Sequence, residues 1–262
     1  GTNYTVVNST TIEVDTPAGT VGAVDVVVTV GAESATETDG FEYLDFEILG
    51  TFSPVNWYDV SQESFTNAQS VGTWTDQGSD AVDLTQGTTA KQPTYDAAND
   101  WLELDETNDQ FLQTSGATDV AQPGTVVLVC EIVSDIANQI YFDGENGTTA
   151  DRQTFDAVSN DINIWSGTPL GTSAGGRPQN MAVYILTYNG SSGELRQNDT
   201  VIMSGNVGSN SGKGFTLGGR FNDAAGRHSS MNVHELARIS RALTAQEKDD
   251  VVAALKAKRG IS

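Results

Sequence analysis

Asp76, Asp80 and Asp83 fall within eight residues in the stretch WTDQGSDAVDLT, among glycine and serine and just after Trp74. Three carboxylates this close could hold calcium, a hard cation that takes roughly six to eight oxygen ligands. They could equally fold a turn, because aspartate accepts hydrogen bonds from backbone N–H groups a few residues on. The D-x-[DN]-x-[DN]-G order of a calcium loop is missing. The spacing therefore favours a structural turn, with Asp76, Asp80 and Asp83 as the ligand set should calcium bind.

A second acidic pair, Glu103 and Asp105, lies in WLELDETN. Strand alternation would aim both carboxylates to one side, as a glycoside-cleaving acid pair in E-x-D-x-x-E order requires. Asn108 stands where the last glutamate would be, so the set is one acid short and no enzymatic activity is expected. The two histidines, His228 and His234, with a single cysteine, Cys130, are too few for a zinc site. No G-x-S-x-G elbow is present for a serine nucleophile. Cys130 sits in the apolar run TVVLVCEIV and reads as an inert core thiol. In GNVGSNSGKGF, Val207 replaces the first glycine of a phosphate loop and Gly214 follows Lys213, so the segment reads as a hairpin.

Aromatic rings beside amides are the other chemistry to weigh, since sugars bind through both. Trp57, Trp74 and Trp101 lie in segments that read as core. Trp165 differs. In DINIW, Ile162 and Ile164 share one face, and Asn163 and Trp165 share the other. With the isoleucines inward, Trp165 and Asn163 become a carbohydrate or subunit contact; burial of the indole between two sheets is the alternative.

The net charge is -22, unevenly spread: residues 1–210 carry -26 and residues 211–262 carry +4. Binding nucleic acid phosphates requires clustered cations, so nucleic acid is excluded as a partner. No run approaches the roughly 20 apolar residues of a membrane span, which excludes a membrane partner of that kind. The opposite charges of the two regions suit contact between copies, and a homo-oligomer is expected.

Residues 1–45 carry β-branched runs such as VDVVVTV, and a turn is expected around Pro17, Gly19 and Gly22. Residues 46–56 read as a linker marked by Gly50 and Pro54. From Trp57 onward, short strands alternate with Gly/Ser/Asn/Asp loops, which predicts an all-β sandwich or jelly roll. One helix is expected, starting at a Thr244/Glu247 capping box and ending before Gly260.

Two resemblances attach to these segments. Thr16-Pro17, Gly22, the Val24–Val28 strand and Phe41-Glu42-Tyr43 resemble the second half of an IPT/TIG immunoglobulin-like domain. Half such a sandwich exposes apolar faces and unpaired edges, so the chain is a fragment or another chain supplies the missing strands. Residues 57–262 resemble a LamG/concanavalin A-like jelly roll of phage structural and bacterial surface proteins. The residues concerned are Trp57-Tyr58-Asp59, Trp74-Thr75-Asp76 with Gly78, Asp83–Gln86, Gln92-Pro93, LELDETNDQFL, FTLGGRF and the ending from His234. Ser79 to Val82 depart from the family's Gly/Asn-rich loop. The resemblance implies a non-enzymatic protein of a virion exterior, as capsid decoration, head fibre or tail appendage. Other virion proteins and cell-surface polysaccharide would be its partners, and no cofactor is implied beyond calcium. A secreted bacterial adhesin or carbohydrate-binding fragment is the alternative, and a polysaccharide-degrading enzyme the third.

Overall fold

The computed structural model describes residues 4–14, 22–43, 47–133, 138–158, 161–171 and 180–261. Thr16, Pro17 and Gly19, and so the expected turn around them, lie outside the described residues. The chain divides into two compact units, 1–46 and 47–262.

The first unit contains two antiparallel hairpins. Strand β1 (Tyr4–Asn8) pairs with β2 (Thr11–Val14), and β3 (Gly22–Val30) with β4 (Glu33–Tyr43). Their β-branched residues suit a pleated backbone. Many remain uncovered: Val27 is 57% exposed, Val6 61% and Val30 75%.

The second unit opens with a helical turn, α1 (Ile48–Thr51), followed by β5 (Asn56–Asp59). Of residues 46–56, which the sequence suggests as a linker, 47–56 belong to this unit, and Leu49 is fully buried. The strands continue with β6 (Thr73–Trp74), β7 (Leu84–Thr85), β8 (Thr94–Asp96), β9 (Trp101–Leu104) and β10 (Leu112–Gln113). Next come β11 (Asp119–Val120), β12 (Gly124–Ile132), β13 (Ile140–Asp143), β14 (Thr154–Val158), β15 (Asp161–Trp165) and β16 (Pro169–Gly171). The last are β17 (Ala182–Tyr188), β18 (Gly193–Gln197), β19 (Thr200–Gly205), β20 (Gly212–Lys213), β21 (Thr216–Leu217) and β22 (Met231–Ile239). The helix α2 (Ala245–Arg259) follows them.

Two antiparallel sheets make a sandwich. One runs β16-β15-β14-β13-β21-β10-β7-β6, the other β19-β18-β17-β12-β22-β9-β8, with β5 also paired to β22. Between them Trp74, Leu84, Phe142, Phe155, Ile164 and Leu217 of the first sheet meet Val126, Leu128, Cys130, Tyr184 and Leu236 of the second. The fold is all-β with one C-terminal helix, as expected.

The second sheet is covered on both sides. Val127, Val129, Val183 and Ile185 point away from the sandwich and pack with Leu49, Val251, Val252 and Leu255 of the two helices. That explains why β12 is apolar almost without alternation: a strand lying under two layers needs apolar residues on both faces. Burial pushes the Cys130 thiol far above its ordinary value, so it stays protonated and inert.

Helix α2 starts where the sequence places it. The Thr244 side chain accepts from the Glu247 N–H, and the Glu247 carboxylate accepts from the Thr244 N–H. Gly260, at φ +63°, takes the left-handed cap that a side chain would disfavour. At that end Lys258 Nζ donates to Asp59 Oδ2 at 2.6 Å, and Arg259 donates to Asp59 Oδ1 at 2.6 Å and Asp100 Oδ2 at 2.7 Å. Glu235, also buried, accepts from Trp57 Nε1 at 2.8 Å. Trp57 is thus half-buried on the helix side of the sheet rather than between the sheets.

Candidate functional site

The three aspartates after Trp74 organise the start of the sandwich. Asp76 Oδ1 accepts from the backbone N–H of Trp57 and of Gly78, both at 2.8 Å. Its Oδ2 accepts from Asn56 Nδ2 and the Val82 N–H, both at 3.0 Å. Asp83 accepts from the Asp76 N–H at 3.0 Å. Asp80 takes the Thr118 N–H at 2.7 Å and the Thr118 hydroxyl. Partial burial alone would raise the Asp80 carboxyl, but the Thr118 donors outweigh it and hold it below its usual range. Gly78 is required here because a Cβ would strike the Val55 carbonyl. Among the described residues, no group of three or more His, Cys, Asp or Glu is placed to hold a metal ion. The loop ties β5 to the Trp74 strand by N–H donors.

The other acids and histidines sit apart. Glu103 is exposed on β9, with Trp101 Nε1 3.3 Å away. Asp105 caps a short turn, accepting from the Thr107 N–H and hydroxyl and from Asn108 Nδ2. His234 lies against the half-buried Trp101, with Nδ1 2.7 Å from the Asp100 carbonyl. Desolvation, then the nearby Arg259 charge, pull its pKa down to about 4, so it is neutral near pH 7. His228 is buried between Asp109 and Asp223, with Nδ1 and Nε2 2.9 and 3.2 Å from their carboxylates.

Trp165 and Asn163 fall on the outer face of the first sheet, because Ile162 and Ile164 fill the core. Burial of the indole between the sheets is thereby ruled out. Register places Asn163 opposite Asp156 on β14 and opposite Gly171 on β16. The next rung sets Thr154, Trp165 and Pro169 side by side. The outer face here presents the Asn163 amide beside the Trp165 indole and Pro169, while Thr154 and the Asp156 Oδ1 atom are buried. The space over Gly171 is filled by the Asn163 side chain: a Cβ there would run into its carboxamide oxygen.

Asp156 is the unusual member. Its Oδ1 is buried and has no hydrogen-bond partner, while Oδ2 has only the Thr154 hydroxyl at 3.4 Å. An unmatched buried polar atom costs about 1–3 kcal/mol. Desolvation, then the charge of Asp143, push its carboxyl up to about 6.

A second carboxylate completes the surround. Asp143, wholly buried, receives Arg152 Nε and Nη2, each at 2.7 Å, and the Phe221 N–H at 3.3 Å. The Arg152 guanidinium lies 5.5 Å from the Trp165 ring centroid and 5.0 Å from that of Phe221. Alternation along TFDAV could have revealed Asp156, since Phe155 and Ala157 point inward. Nothing local links Asp143, Arg152 and Phe221, which only tertiary structure joins.

No sequence-family description matches the chain, and no curated protein does. Solved structures do. The botulinum neurotoxin serotype G binding domain superposes with a TM-score of 0.57 at 7% identity, over 76% of this chain and 50% of that one. The serotype D ligand binding domain, solved with N-acetylneuraminic acid, gives 0.55 at 11%, over 79% and 52%. A Trypanosoma rangeli sialidase mutant displaying trans-sialidase activity gives 0.50 at 12%, over 80% and 34%. The likeness is one of fold. The chain spans about half the length of these toxin domains and about a third of the sialidase.

Proposed function

We propose that the chain is a non-enzymatic surface protein whose β-sandwich binds carbohydrate at the outer edge of its first sheet. The observation that supports this most is the Asn163 amide beside Trp165 and Pro169 on the outer face of the first sheet. It offers hydrogen-bonding groups and apolar surface side by side on rigid strands, as sugar recognition requires. A sandwich neighbour solved with a bound sugar adds support at the level of fold. Glycan-array binding of the intact chain, compared with Trp165→Ala, tests it: the variant should lose its signal while its melting curve is retained.

The place we propose is a phage virion exterior, on the resemblance of residues 57–262 to phage structural proteins. The exposed valines of the first unit favour copies of the chain as partners. Immunogold labelling of virions tests the location, and light scattering tests self-association; an unlabelled particle and a strictly monomeric protein would remove both proposals.

A further inference from the structure

Resting on that reading, we infer that the Trp165 site takes an acidic glycan, and that Arg220 pairs with its carboxylate or sulfate group. Beyond Trp165 the surface runs on through alternating guanidinium and aromatic groups. The Arg152 guanidinium lies 5.5 Å from the Trp165 ring centroid and 5.0 Å from that of Phe221, and the Arg220 guanidinium lies 5.3 Å from Phe221 in turn. Both arginines therefore belong to one continuous row with the indole.

The row is held from below. Asp143 takes Arg152 Nε and Nη2. The Phe221 N–H donates to Asp143 Oδ2 at 3.3 Å, and the Phe221 carbonyl accepts from Gln113 Nε2 at 2.9 Å. The Phe221 ring fills the space over Gly147, where a Cβ would strike it. Donor capacity is left over. Arg152 Nη1 and the whole Arg220 guanidinium have no hydrogen-bond or ion-pair partner among the described residues, and both reach solvent. A guanidinium has N–H donors and no acceptor, so its ligand must bring acceptor oxygens, and anionic oxygens make the stronger bonds.

The charge balance singles out Arg220. The chain has 35 Asp and Glu for 13 Lys and Arg, so an arginine that no described acid pairs with is unusual in it. Asp143, Glu145 and Asp223, which flank Phe221, have cations of their own in Arg152, Lys213 and Lys91. Asp161 stands at the opposite end of β15 from Trp165. The acidic group of the ligand therefore lies toward Arg220, with a sugar face on Trp165 and hydroxyls at Asn163.

Neutral oligosaccharides printed beside the same chains carrying a uronic acid or a sulfate separate the possibilities. Wild type should bind the acidic members about tenfold more tightly, the scale of one charge-assisted hydrogen bond. Added salt should close that gap, a measurement that needs no variant. Arg220→Gln should bind both classes alike, at the neutral level, with its melting curve unchanged. An acidic preference that is absent from wild type, insensitive to salt or undiminished in Arg220→Gln would overturn the assignment while the Trp165 contact stands. The contact itself falls if Trp165→Ala binds every glycan as wild type does, and binding to no glycan removes both.

Discussion

The guanidinium of Arg152 rests 5.5 Å from the Trp165 ring centroid while its two N–H groups grip the buried Asp143 carboxylate. One side chain thus joins the floor of the first sheet to the indole at its edge. Arg152→Met would leave the buried Asp143 carboxylate without its cation, at a cost of about 3–5 kcal/mol. Adding Asp143→Asn should recover much of that loss. Urea denaturation of the two single variants and the double variant gives the coupling, and Trp165 fluorescence should shift in Arg152→Met. Lysine should not substitute, because a single ammonium cannot reproduce the forked contact.

Asp156 should cost stability rather than add it. The unfolded carboxyl ionises near 3.8, whereas the folded one holds its proton to about 6. The folded state therefore binds more proton in that window, and stability falls as pH rises through it. Asp156→Asn should remove this slope and stabilise the protein above pH 6 by about 1–3 kcal/mol. Thermal melts at pH 4 and pH 7 check it; a variant destabilised at pH 7 would overturn it.

The Asp76 loop should behave as scaffold. Asp76→Ala strands three backbone N–H groups and removes one of the two acceptors of the Asn56 amide, and should cost about 3 kcal/mol or more. Chelation by EDTA should leave the wild-type melting temperature unchanged. A calcium-dependent rise in melting temperature, lost in Asp76→Ala, would refute this.

The clamp under α2 titrates in the opposite sense at its two acids. Burial, then repulsion from Asp59, push the Glu235 carboxyl up to about 7 from its ordinary 4.5. Its ionisation therefore drains stability as pH climbs from about 4.5 to 7. Burial would raise Asp59 as well, but the hydrogen bond and charge of Lys258, then the charge of Arg259, win and hold it low. Its contribution is present above the ordinary carboxylate range and disappears as pH falls through the lowered folded value. Glu235→Gln should flatten the upper slope and leave the acid limb intact, measured by denaturant midpoints between pH 3 and 8.

Much of the architecture was legible in short-range pattern. Thr244, Glu247 and Gly260 mark the helix by their own capping chemistry, and the alternation of DINIW sorts Ile162 and Ile164 from Asn163 and Trp165. Local pattern failed where burial comes from elsewhere. Residues 47–56 look like a connector because Gly50 and Pro54 punctuate them, yet Leu49 is buried by Val251 and its neighbours far along the chain. Trp57 looks like sandwich core, yet its indole turns to the helix layer and to Glu235. Asp143 and Arg152 carry no spacing signature, since a bulged strand pairing and a distant Phe221 bring them together.

The clamp also sets an order of events during synthesis. Asp59 emerges from the ribosome 200 residues before Arg259, so β5 can pair with β22 but cannot be locked until the helix has been translated. Until then a nascent sandwich holds its first strand by backbone pairing alone, with two buried carboxylates waiting for their cations. Lengthening the delay, for example by slow codons before residue 245, should expose that stage to proteases.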